Sequence, residues 1–122
     1  MTVVLPITQD DGEGGSLLTT IEINENPGDI DGVSLLISDP ISAERVLFLD
    51  TIPETKDESR YTPPNRQLAV ILAGTIEIED DHGHKQQLRP GDAAIAADTE
   101  AGHTTRLINK PARVLLIDLV DN

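Results

Sequence analysis

Along most of this chain apolar and polar residues alternate with a period of two, the spacing that turns one face of a strand inward and the other to water. In the first half the pattern runs over Thr2 to Thr8, Leu17 to Ile23, Val33 to Ile37 and Arg45 to Asp50. Turns are expected at Gln9 to Gly15 and at Asn24 to Gly28, where Asn, Pro and Gly gather. Thr51 to Asn65 is polar and holds three prolines, which predicts a loop. In the second half Gln67 to Ala73 is a nearly continuous apolar run, and Gly74 is expected to bend the chain sharply. Thr75 to Glu79 sets Ile76 and Ile78 against Glu77 and Glu79, the signature of a half-buried strand. Asp80-Asp81-His82-Gly83 predicts a hairpin turn with Gly83 at the position of positive φ. Lys85 to Leu88, Ala93 to Ala97, His103 to Ile108 and Arg113 to Val120 follow as strands, with Asn109-Lys110-Pro111 expected to separate the last two. No window of about 12 residues shows a helical period. Some ten short strands at even spacing, as roughly here, define an all-β sandwich or barrel.

Composition narrows the function more than it names it. The 122 residues carry 22 Asp and Glu against 9 Lys and Arg, a formal net charge of −13. Phosphate binding needs clustered cations, so nucleic acid is not an expected partner. The longest apolar run, Leu68 to Ala73, falls far short of the roughly 20 residues that cross a bilayer as a helix, and no membrane association is expected. Met1 to Asp10 has no basic segment ahead of a hydrophobic stretch, so no signal peptide is expected and the cytoplasm is the expected location. Without cysteine there is neither a disulfide framework nor a thiol nucleophile. Phe48 and Tyr61 are the only aromatic residues, which disfavours recognition by ring stacking.

The punctuation of the second half carries a family resemblance. Gln67-Leu-Ala-Val-Ile-Leu-Ala-Gly74-Thr-Ile-Glu-Ile78 resembles the end of the first cupin motif, a strand, a glycine bend and a return strand. Leu88-Arg-Pro90-Gly91-Asp92 is similar to the turn that opens the second motif, with His103 and Asn109 near that motif's histidine and asparagine. Arg66-Gln67 and Asp98-Thr-Glu-Ala-Gly-His103 resemble a set of short bacterial cupins. The resemblance implies a jelly-roll β-barrel of two antiparallel sheets around a pocket. It implies one cupin domain over residues 1–122, with N-terminal strands in 1–50, a connecting loop over 51–65 and the barrel motifs in 66–120. Single-domain members are commonly homodimers, and that is the expected assembly.

Metal-binding cupins hold Fe, Mn, Ni, Zn or Cu with three histidines and a glutamate. Carried over position by position, the glutamate falls on Gln67 and one histidine on His103. The paired histidines fall in Arg60-Tyr61-Thr62-Pro63, which has none. One imidazole and one amide offer a divalent transition metal too few strong donors and no anion. The expectation is therefore no metal, or one held weakly by His103 and Gln67, with Tyr61, Asp57 or Glu58 as substitute donors. His82 and His84 spell His-x-His, but within an acidic turn, where solvent exposure explains them better.

By alternation His103 shares a face with Thr105 and Leu107, and Gln67 shares one with Ala69 and Ile71. In a cupin barrel those two faces meet across the pocket. The expected function is binding of a small organic molecule there, with His103 as acid or base and Tyr61 as proton donor in isomerase- or lyase-type chemistry. Gln67 and Thr105 would orient the molecule. Arg60, Arg66 and Arg106 lie beside the motif segments, and Arg66 and Arg106 are further binding candidates through a bidentate grip on a carboxylate. Alternation puts both out of phase with Gln67 and His103. A metal-dependent, dioxygenase-like enzyme and a non-catalytic binding module are the alternatives, so catalysis itself stays open.

Overall fold

The computed structural model describes residues 2–120, which leaves Met1, Asp121 and Asn122 of the expected domain outside the described residues. The described residues form nine strands and no helix: β1 (Thr2–Asp10), β2 (Ser16–Ile30), β3 (Val33–Ser38), β4 (Ala43–Asp50), β5 (Glu58–Tyr61), β6 (Gln67–Glu79), β7 (Lys85–Leu88), β8 (Ala93–Ala97) and β9 (His103–Leu119). They pair in the order β3-β2-β1-β8-β6-β9-β4, with β7 added to β6 and β5 added to β9. Every pairing is antiparallel except β1 with β8, which is parallel over Ile7, Thr8 and Gln9.

Two long strands build the barrel. The first half of β6 lies between β8 and the end of β9, and its second half between β7 and the start of β9. Both strands bend where their register shifts, between Ile71 and Ile76 on β6. Each therefore belongs to both walls, and the space between the walls becomes the interior. Gly74 makes the bend possible. Its φ is +74°, and a Cβ there would stand 2.6 Å from the Asn109 carbonyl and 2.7 Å from the Pro111 carbonyl. The expected breaks at Gly74 and at Asn109-Lys110-Pro111 are thus bends within continuous strands.

Two other expectations change. Asn24 to Gly28 is not a turn. After Asn24, where its pairing with β1 ends, β2 continues against β3 from Glu25 to Ile30. The chain reverses at Asp31-Gly32, where φ is +50° and +82°, the two-residue turn that matches strand twist. The segment expected to be a loop over 51–65 contains β5, paired with His103 to Arg106 of β9.

The buried cluster consists of Ile71, Ile76, Ile78, Leu88, Ala94 and Ala112, with Leu18, Leu107 and Val114 packed on it. All are aliphatic, and Phe48 is 68% exposed. Without large rings to fill it, the space between the walls stays partly open.

Candidate functional site

That opening is a cavity of about 290 Å³, near the lower end of ligand pockets, which run from about 300 Å³ upward. Ile71, Ile76, Ile78 and Leu88 form part of its apolar wall, while Tyr61, Gln67, His103 and Thr105 bring polar atoms to it. The two faces expected from alternation do line one cavity: His103, Thr105 and Leu107 from β9, and Gln67, Ala69 and Ile71 from β6.

His103 is set by the turn that precedes it. The Gly102 amide donates to the Asp98 carbonyl at 2.9 Å, and Gly102 has φ +71°. This closes residues 98–102 into a tight loop and returns His103 over the Asp98 side chain. His103 Nδ1 lies 2.8 Å from Asp98 Oδ2, and Thr8 Oγ1 donates to Asp98 Oδ1 at 2.9 Å. All three residues are at least 95% buried. As donor to the carboxylate, Nδ1 carries its hydrogen, and in the neutral ring the lone pair then lies on Nε2. Nε2 has no protein partner among the described residues.

A second chain of hydrogen bonds fixes the other side. Tyr61 Oη donates to Gln67 Oε1 at 2.5 Å, and Gln67 Nε2 donates to Asp118 Oδ1 at 2.8 Å. Asp118 Oδ2 then accepts from Arg45 Nε at 2.8 Å and Nη2 at 2.6 Å. The amide of Gln67 and the guanidinium of Arg45 hold the Asp118 carboxyl below its usual range. Burial, reinforced by the charges of Asp118 and Asp98 and offset in part by the Gln67 hydrogen bond, raises the Tyr61 phenol. Tyr61 therefore keeps its proton at neutral pH, and spends it on Gln67. The Tyr61 and His103 rings meet edge to face with centroids 5.9 Å apart. Tyr61, Gln67 and His103 thus stand together, but Tyr61 is placed as an acceptor toward a ligand rather than as the expected proton donor. Gln67 retains one N–H and one lone pair.

The arginines lie elsewhere. Arg66 borders a separate hollow of about 320 Å³ with Ile21, Ile23 and Ile41. That hollow is slightly larger but lacks the paired polar groups of the first. Arg106 faces Glu58, Glu77 and Glu79, which raise its guanidinium further above its ordinary range. Arg60 grips Asp81 through two bonds of 2.8 Å and reaches the carbonyls of Ala101 and Gly102. On strands, neighbours of an inward residue point outward, which is why Arg66 and Arg106 miss the cavity. His82 pairs with Asp11 at 2.9 Å and His84 with Asp80 at 2.8 Å, outside the cavity. Asp57 is held by Lys110 and Glu58 by Arg106.

These positions also bear on whether the site's donors fit a metal. Among the described residues of the cavity only His103 Nε2 is a strong donor without a partner, and Gln67 and Tyr61 are tied to each other. No three His, Cys, Asp or Glu gather as a metal-holding group among the described residues. The donor set does not fit a divalent transition ion.

Asp98, Thr8, Asp118 and Arg45 are the site residues that sequence reasoning missed. Asp98 had a signal, five residues before His103 in the quoted motif. Asp118, Arg45 and Thr8 reach the site through strand pairing, which spacing along the chain does not reveal.

Among solved structures the chain is similar to the Drosophila melanogaster CENP-C cupin domain, at 12% identity over 79% of this chain and 75% of that one, TM-score 0.46. The same score and identity describe Drosophila CENP-C bound to CAL1, over 79% and 81%. A Salmonella typhimurium protein named for ethanolamine utilization, protein Q, matches over 100% and 98% at 12% identity and TM-score 0.41. No family model and no curated protein matches the chain. The all-β, cupin-type architecture rests on this chain's own pairings: two walls sharing the bent strands β6 and β9 around a cavity. Among the described residues no helix is long and apolar enough to cross a membrane.

Proposed function

We propose that this cupin-type barrel binds one small organic molecule, aliphatic in its body and carrying a hydroxyl or an acidic C–H. His103 Nε2 is the base that accepts its proton. The observation that supports this reading is the Asp98–His103 pair, buried and oriented, beside a cavity whose walls are otherwise largely aliphatic. Asp98 fixes the tautomer, and a ring held this way returns the same proton at a neighbouring position of the ligand. Isomerisation or elimination needs that transfer and no metal. Tyr61 Oη and the free N–H of Gln67 would hold the ligand's polar end. The cytoplasm suits a chain without cysteine.

A thermal-shift screen of small hydroxy and oxo compounds tests the reading, with binding stoichiometry measured for each hit. One molecule should bind per chain, and His103→Ala should weaken it at least tenfold. Asp98→Asn, which misorients the ring, should slow any turnover more than it weakens binding. A hit that binds His103→Ala as tightly as the parent protein overturns the proposal. Tight, His103-dependent binding with no turnover of any hit would leave a binding module.

A further inference from the structure

The segment between β4 and β5 crosses one end of the cavity. Thr51 is tied to the bend of β9 in both directions: its amide donates to the Ala112 carbonyl at 3.0 Å, and its Oγ1 accepts the Ala112 amide at 2.9 Å. Asp57 is tied to β9 ahead of the bend, where its carbonyl accepts the Leu107 amide at 2.8 Å and its side chain pairs with Lys110. Between these anchors Ile52 to Thr55 forms a turn with Pro53 in second place. The Thr55 amide donates to the Ile52 carbonyl at 3.0 Å, and Thr55 Oγ1 accepts the Ile52 amide at 2.9 Å. Fixed at both ends and in the middle, the segment brings Thr51, Thr55 and Lys56 to the cavity.

Of the nine Lys and Arg in the chain, Lys56 alone lines this cavity. It forms no ion pair among the described residues, although acids surround it in sequence. Those acids are taken: Asp50 by Arg113, Asp57 by Lys110 and Glu58 by Arg106, while Glu54 lies outside the cavity lining. The hydroxyls of Thr51 and Thr55 each use their oxygen to accept a backbone amide, which leaves the hydrogen to donate. In a chain of net charge −13, this end of the cavity thus keeps one uncompensated positive charge and two hydroxyl donors. That is the donor set an anion requires.

The anion-accepting end lies away from His103. Tyr61 faces His103 on the β5–β9 ladder, Ser59 faces Thr105 two residues on, and Leu107 meets Asp57 where the ladder runs into the crossing segment. From His103 to Leu107 along β9 is about 13 Å at the rise of an extended chain. We infer that the molecule bound here is an aliphatic hydroxy or oxo acid, its carboxylate held by Lys56, Thr51 and Thr55 while its hydroxyl or acidic C–H reaches His103. This rests on the reading of His103 given above and adds the ligand's charge, length and direction. Threonine side chains are short, so a carboxylate that meets them stands near the crossing segment, and several carbons separate it from the reacting group. One ammonium balances one negative charge, which matches a carboxylate rather than a phosphate dianion. Anchoring that end sets the depth at which the chain stands under Nε2, and so which carbon gives up its proton.

Calorimetric titration with ω-hydroxyhexanoate and with terminal hexanediol, which has a hydroxymethyl group in place of the carboxylate, tests this. The acid should bind the parent protein about fivefold more tightly than the diol, the ratio one partly exposed ion pair supplies. Lys56→Met keeps the length of the side chain and drops its charge; it should abolish the preference without weakening the diol. Because Lys56 is exposed and unpaired, its melting temperature should match that of the parent protein. His103→Ala should weaken both probes alike and leave the preference in place. Equal binding of acid and diol by the parent protein, or a preference that survives in Lys56→Met, overturns the inference, and the reading of His103 still stands where both probes depend on it. A preference lost in Lys56→Met, with both probes indifferent to His103→Ala, supports the anion end and counts against His103 instead. A parent protein that binds neither probe overturns the inference as well, while the thermal-shift screen judges His103 separately.

Discussion

Gln67 shows how a single residue can keep a family's position and change its chemistry. The resemblance puts a glutamate there, but in this chain the neighbour across the strand pair is the buried carboxylate of Asp118. A carboxylate facing another at 2.8 Å would be repelled, whereas an amide donates to Asp118 and accepts from Tyr61 at once. Gln67→Glu therefore creates two buried carboxyls that cannot both ionise, and one must hold a proton far above its ordinary pH range. At pH 7 the variant should be destabilised by about 2–3 kcal/mol in urea unfolding, the usual cost of breaking a hydrogen bond to a charged group. As pH falls toward 5 the shared proton is taken up and most of that loss should return. A variant equally unstable at both pH values would mean that the amide acts through packing rather than charge.

At the scale of elements, Asp80 joins two strands the sequence keeps far apart. It sits at the end of β6, where its Oδ2 accepts from the Leu18 amide of β2 and faces His84, while its Oδ1 accepts the amides of His82 and His84. Burial alone would push its carboxyl up, but those four hydrogen bonds outweigh burial and bring it down to about 2. A carboxyl depressed in the folded state stabilises it above the unfolded value near 4, and that share fades as pH falls through about 2. With the side chain fully buried, the share at neutral pH is on the order of 2 kcal/mol. Asp80→Asn should lose at least that in urea unfolding at pH 7, and the gap to the parent protein should close as pH approaches 2. A gap that is constant with pH would show that Asp80 acts through shape alone. Such links explain what was legible in the chain. Period-two alternation gave the strands and the faces on which His103 and Gln67 lie, because side-chain direction depends only on the local pleat, and the family resemblance brought those two faces to one cavity. Alternation could not give the partners, since Thr8, Asp98 and Asp118 arrive by pairings between distant strands. It also split β6 and β9, because a glycine bend and a proline look the same in sequence whether a strand ends or only turns its direction. The hairpin of residues 25–38 was misread for a related reason: Pro27 and Gly28 are turn residues by composition, yet the Asp31-Gly32 pair supplies the two positive φ values that the reversal requires.

Over the whole molecule the charge works against the fold. Twenty-two acids share nine bases, and the structure shows how those bases are used. Arg106 is divided among three glutamates, and Arg45, Arg60, Arg113 and Lys110 are each engaged with one aspartate. Most of the remaining acids therefore have no Lys or Arg within ion-pair distance among the described residues. Salt weakens both effects, but unevenly: exposed pairs contribute little to begin with, whereas repulsion is summed over the whole surface. Raising sodium chloride from about 10 mM to about 0.3 M shortens the screening length from roughly 30 Å to well under 10 Å, less than the width of the barrel. The melting temperature should rise by about 4–8 °C, equivalent to ~1–2 kcal/mol for a chain of this size. Potassium chloride should do the same at equal ionic strength, because screening does not depend on which monovalent cation supplies it. A melting temperature that falls with salt would mean that the arginine pairs outweigh the repulsion, and Arg106→Ala, which frees three glutamates, would then be the most destabilising surface substitution. If it rises as expected, Arg106 matters chiefly by cancelling local repulsion along β5, β6 and β9, and its loss should cost less in 0.3 M salt than in 10 mM.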